Sequence, residues 1–89
     1  MNTDTEILQI VNLSLMINRL GGHQVVLNMR GESAHFCAFI YPHGSQAPVD
    51  YLHTFTDKPE AYPQLRLIRQ QLEFLLANEE AKAQQQVAA

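Results

Sequence analysis

Along the first twenty positions, apolar residues recur at helical spacing on two sides at once. Ile10, Leu13, Ile17 and Leu20 share one side, and Ile7, Leu8, Val11 and Leu15 share another. Gln9, Asn12 and Arg19 separate the stripes on one flank, Ser14 and Asn18 on the other. A surface helix normally shows a single apolar stripe. Two stripes predict burial on two sides, either inside the fold or against a second chain. The second-chain reading places Ile7, Val11, Leu13, Leu15 and Ile17 at an oligomer interface. The helix is expected over residues 3–20. Thr3 and Glu6 stand at capping-box spacing, and Gly21-Gly22 can supply a left-handed end.

The period then changes from helical to alternating. Residues 23–30 place Val25, Leu27 and Met29 on one face, as a half-buried strand does. Gly31-Glu32 suits a type II′ turn, in which glycine takes the first central position. That turn pairs Arg30 with Ser33, Leu27 with Phe36 and Val25 with Ala38. Val25, Leu27 and Met29 then share a face with Phe36, Ala38 and Ile40, a set that a one-residue slip would scatter over both faces. The stretch 41–48 has a proline near each end and reads as loop. A third strand over residues 49–56 is expected antiparallel to the second.

Asp57 and Glu60 repeat the capping-box spacing. Pro63 disfavours helical geometry at Tyr62 and suits a first helical turn, so the second helix is predicted over residues 62–83. Its apolar stripe is Leu65, Ile68, Leu72, Leu75 and Leu76, with Arg66, Arg69, Gln70, Glu73 and Glu80 on the rest. Glu79 and Glu80 read as the end of its solvated face. Residues 84–89 are expected as a flexible tail. The fold class is therefore α+β, an α-β-β-β-α chain with a three-stranded antiparallel meander over 23–56, and residues 1–89 form one domain. The terminal helices either pack together on the Val25/Leu27/Met29 face or cover opposite faces.

Composition narrows the function classes. The 89 residues carry six Lys and Arg against nine Asp and Glu, a net charge of −3. That balance disfavours tight nucleic-acid binding, which needs a basic field. A chain of this size buries only about 60–65% of its unfolded surface, so a second subunit would add burial it lacks, and a homodimer is expected. The lone Cys37 excludes an intrachain disulfide and fits a reducing compartment. The segment MNTDTEILQI lacks the basic flank and small-residue cleavage site of a secretory signal. The longest apolar run near it, Leu15-Met16-Ile17, cannot span a bilayer. The expected location is the cytoplasm, with no membrane association.

The outward face of the sheet carries the candidate chemistry. His35, Cys37, Phe39 and Tyr41 come from the second strand. If Tyr41 lies opposite Val49, the third strand adds Tyr51, His53 and Phe55. These seven residues form the candidate interaction surface. Cys37 would then face His53 with His35 two residues along, three ligand types that zinc accepts. His-x-Cys is not a finger spacing, and free cysteine is commonly buried, so neither metal nor cofactor is expected. Cys37 with His53 is also the one nucleophile–base pairing, with Asp50 as an orienting carboxylate. No oxyanion donor is predicted beside the thiol, so no catalytic residue is assigned and no enzyme is expected. Gly21-Gly22 follows a helix and precedes a strand, the reverse of a phosphate loop. His23 and His43 fall at loops and read as solvated. Exposed rings on a sheet can stack bases. Nucleic-acid binding through them, aided by a patch of Arg30, Arg66 and Arg69, is the alternative function.

The stretches HQVVLNMRGESAHFCAFIYPHG and QLRLIRQQLEFLLANEE resemble, in size, pattern and texture, the small accessory proteins of temperate bacteriophages and prophages. The resemblance spans about two-thirds of the chain and carries over no functional residue. It implies a bacterial cytoplasm and action by binding or inhibiting a host or phage macromolecule. The reading that joins these strands is a small non-catalytic protein-interaction module.

Overall fold

The computed structural model describes the backbone of residues 3–88 and the side chains of residues 3–85. The element order is α1 (Thr3–Leu20), β1 (His23–Arg30), β2 (His35–Pro42), β3 (Asp50–Phe55) and α2 (Ala61–Ala88). This is the α-β-β-β-α order expected, with the strands antiparallel in the order β1-β2-β3. Gly21 ends α1 at a φ of 82°, the left-handed geometry that glycine accepts without steric cost.

The β1–β2 hairpin departs from the expected register by two residues. Arg30 pairs with His35, Leu27 with Ala38 and Val25 with Ile40. The turn is four residues long rather than two. Ala34 donates its N–H to the Gly31 carbonyl at 3.3 Å, and Ala34 itself holds the left-handed conformation at φ 53°. Gly31 is not in the positive-φ region that a type II′ turn demands at its first central position. A shift of two preserves every side chain's face, because the strand period is two. Val25, Leu27 and Met29 therefore still share a face with Phe36, Ala38 and Ile40. The β2–β3 register is the one expected: Phe39 lies opposite Tyr51, Cys37 opposite His53 and His35 opposite Phe55.

Both helices lie on the Val25/Phe36 face, α1 over β1 and α2 over β3, packed along each other. Of the two arrangements open from sequence, the helices thus take the shared-face one. Ile10 and Ile17 from α1 meet Val25, Phe36, Ala38 and Ile40 from the sheet and Leu65, Ile68, Leu72 and Leu76 from α2. Ile7, Leu13, Met16, Leu27, Leu52 and Leu75 pack around them. The first stripe of α1 is thus the inward one, although its last member, Leu20, reaches solvent. Of the five residues expected at an oligomer interface, Ile17 is fully buried in the protomer's own core, and Ile7 and Leu13 pack against that core. Leu15 is exposed and Val11 half-buried. Three of the five therefore serve the protomer's own core, and Leu15 stays at the surface.

Helix α2 begins at Ala61 and continues to Ala88, past the Ala83 end expected. Apart from Val87 the segment after Ala83 holds alanine and glutamine, good helix formers, with no glycine or proline to stop the helix. Ala89, the end of the expected tail, lies outside the described residues.

Among the described residues four polar side chains are buried, and each has a partner. Ser14 donates to the Ile10 carbonyl at 2.7 Å, and Thr54 donates to Gln64. Glu6 accepts from Arg69 Nε at 2.5 Å. Its carboxylate is turned to the other helix, where a capping box would have turned it back to Thr3. Glu79 pairs with His23 Nδ1. That pair corrects two expectations, since Glu79 is buried rather than solvated and His23 is half-buried against it. Among the described residues no buried side-chain nitrogen or oxygen lacks a partner.

The His23–Glu79 pair explains Gly22. A Cβ at position 22 would land on the Glu79 carboxylate. Gly22→Ala is therefore expected to push Glu79 away from His23 and to cost about 1–2 kcal/mol. A thermal melt checks it: no fall in midpoint would show that Glu79 can move without loss.

Candidate interaction surface on the open sheet face

No helix covers the second face of the sheet, since both pack on the first. Alternation sends Gln24, Val26, Asn28 and Arg30 of β1 to this open face, together with the odd-numbered residues of β2 and β3. All seven residues singled out from sequence are on it: His35, Cys37, Phe39 and Tyr41 from β2, and Tyr51, His53 and Phe55 from β3.

The six rings form one connected array across the two strands. Tyr41 and Phe39 are 6.5 Å apart between centroids, and Phe39 and Tyr51 are 4.7 Å apart. Tyr51 stacks on His53 at 5.1 Å with planes 16° apart. His53 meets His35 edge-on at 5.4 Å, and His35 lies 4.9 Å from Phe55. The two imidazoles are also joined through His35 Nε2 and His53 Nδ1 at 3.4 Å. Cross-strand ring pairs contribute about 0.5–1.5 kcal/mol each beyond area burial, so the array stiffens the face it occupies. Tyr51, His53 and Phe55 nevertheless remain exposed.

Cys37 is the exception, only 4% exposed although no helix lies over it. A small side chain in the middle strand sits in a well between larger neighbours: His35 and Phe39 along the strand, Asn28 and His53 across from it. The thiol is free. Asp50 falls on the opposite face by alternation, and its Oδ1 accepts the Tyr51 N–H at 3.0 Å. The Cys37–His53–Asp50 set is therefore not brought together on one face. Among the described residues no group of three or more His, Cys, Asp or Glu side chains is placed to hold a metal ion.

The charge on this face is sparse. Arg30 is its one fixed cation, and its strand positions hold no Asp or Glu. The arginine patch expected from sequence does not form on it. Arg66 and Arg69 belong to α2, behind the sheet, and Arg69 is engaged by Glu6 and by Glu73 at 3.0 Å.

A second apolar feature is not among the residues singled out from sequence. Leu67 and Phe74 of α2 are 61% and 70% exposed. They line a groove beside β3 with Tyr51, Leu52, Ile40 and Gln71. The signal is present in their seven-residue spacing, which places both on one flank of a helix, outside the main stripe.

The fold and face define a two-layer α+β domain with one sealed and one open sheet surface. No family model matches the chain, and no curated protein or solved structure matches it. Among the described residues, no helix is long and apolar enough to cross a membrane.

Proposed function

We propose that the protein is a non-catalytic interaction module that docks a protein partner on its open sheet face and works as a homodimer. The observation that carries this reading is the composition of the face: six connected rings, a buried thiol and a single fixed charge. The buried centres of protein interfaces are enriched in aromatic residues and depleted in charge, and an apolar patch of this kind on a small domain marks a place of contact. In the cytoplasm, the location this reading takes, Cys37 stays reduced. The mode of action suits a phage- or prophage-type accessory protein that binds or inhibits a host macromolecule.

The test compares capture of bacterial proteins on immobilised wild-type chain with capture on Tyr41→Ser/Tyr51→Ser. Tyr41 ends the array and Tyr51 is an exposed ring on the edge strand, so the double variant is expected to fold and to lose the captured species by at least tenfold. Capture is expected to survive high salt. Retention of the same species by the double variant would sink the reading.

The stacked pair Tyr51–His53 favours a second reading, in which the rings stack single-stranded bases. Binding of labelled single-stranded DNA or RNA that weakens steeply with salt and is lost in the double variant would establish it.

A further inference from the structure

The two edges of the sheet are treated differently. At β1 the protein caps the edge at Val25. The Asn18 carboxamide accepts the Val25 N–H at 2.6 Å and donates to the Val25 carbonyl at 3.1 Å, as a neighbouring strand would. Those bonds fix which way every backbone group in the sheet points. Val25 faces away from β2, so in the antiparallel pattern the even-numbered residues of β2 bond to β3. The Val49 N–H bond to the Ile40 carbonyl agrees with this. The backbone groups of Tyr51, His53 and Phe55 then point out of the β3 edge. The Tyr51 N–H is taken by Asp50 and the Phe55 carbonyl accepts the Lys58 N–H at 3.2 Å, so among the described residues the open groups of this edge are the Tyr51 carbonyl, both groups of His53 and the Phe55 N–H.

Natural edges are usually blunted by proline, lysine, a bulge or a covering element. The segment Tyr51-Leu52-His53-Thr54-Phe55 has no proline and no fixed charge, and it is rich in residues that favour strands. Beside it runs the groove that exposes Leu67 and Phe74.

We propose that this edge takes a second copy of the chain, β3 pairing antiparallel with β3 about a two-fold axis at His53, to give one continuous six-stranded sheet. The pairing places Tyr51 opposite Phe55 of the copy at both ends, an aromatic cross-strand pair of the kind that stabilises sheets. With no fixed charge in the segment, two copies meet without repulsion. On the helical side, the Leu67 flanks of the two α2 helices close over the joint. The ring arrays of the two copies become one surface of double length.

The surface area leaves room for such a cover. The protein exposes 5950 Å², where a compact monomer of its 10.1 kDa exposes about 5300 Å². Its radius of gyration is 13.9 Å, against about 12 Å for a compact domain of this length. The excess of about 650 Å² compares with the roughly 800 Å² per partner that a standard interface buries.

This inference rests on the dimer part of the proposed function and assigns its interface. Sedimentation velocity at tens of micromolar tests it. The wild-type chain is expected at twice its own mass, and Leu67→Glu and His53→Pro each at the monomer mass. Leu67 is already exposed, so its variant keeps the fold. Proline at His53 removes an N–H that bonds to nothing within the protomer. Amide exchange at His53 and Phe55 is expected to be slow in the wild type and fast in Leu67→Glu. A wild-type monomer would overturn the dimer and this interface together. A dimer that survives both substitutions would overturn the interface alone.

Discussion

Ile17→Asp is expected to unfold the protein, whereas Leu15→Asp, two residues away on the same helix, is expected to leave its melting curve nearly unchanged. Ile17 is 0% exposed at the centre of the core, in a cluster with Ile10, Val25, Phe36 and Leu72. That cluster is built from apolar side chains, so an aspartate within it would be an unpaired charge. Such a group costs several kcal/mol even after it neutralises by taking up a proton. Native stability for a chain of 89 residues is of the order of 4–13 kcal/mol, so one such change removes most of it. Leu15 is 49% exposed, and a charge there stays in water. Circular dichroism melts of the two variants decide the matter. An Ile17→Asp protein that melts like the wild type, or a Leu15→Asp protein that does not fold, would mean that α1 presents its other stripe to the core.

The same pair of residues shows what the amino-acid pattern can and cannot convey. Periodicity locates α1 and divides its apolar residues into two stripes, but both stripes are equally greasy, and only packing reveals which one faces inward. Alternation likewise places the seven residues of the open face together, because a face is a matter of parity. The hairpin register lies two residues from the expected one, because the turn is held by Ala34 in a left-handed conformation that its residue type does not advertise. The face is indifferent to that shift because two is the period of a strand. Glu79 reads as solvated in the sequence, since its partner His23 is 56 residues away and no local rule links them. Glu6 reads as a capping residue for the same reason: Thr3 is close in sequence, and Arg69 is close in space. Leu67 and Phe74 escape notice because the stripe beside them accounts for the core without them.

That Glu6–Arg69 link yields the second large effect. Arg69→Ala is expected to destabilise the protein by about 2–3 kcal/mol, and Glu6→Leu/Arg69→Met to recover most of the loss. The Glu6 side chain is 9% exposed and Arg69 18%, so truncating the arginine strands a carboxylate that water barely reaches. Breaking a buried pair by removing one partner costs about 3–5 kcal/mol, whereas replacing both by apolar groups is near neutral. The figure for Arg69 is set lower because water reaches part of the guanidinium. The hydrogen bond that Arg69 donates to Glu6 raises the Arg69 pKa above its ordinary value, against burial, which lowers it, and Glu73 adds to the rise. A raised pKa on a cation means that its contribution is complete at all pH values below the ordinary arginine range and fades only above it. The arginine therefore holds its charge wherever the protein is handled. Urea midpoints for the single and double variants close the thermodynamic cycle. Equal losses in Arg69→Ala and in the double variant would show that the site needs the shape of these side chains rather than the neutralisation of Glu6, and the link would then not be electrostatic in origin.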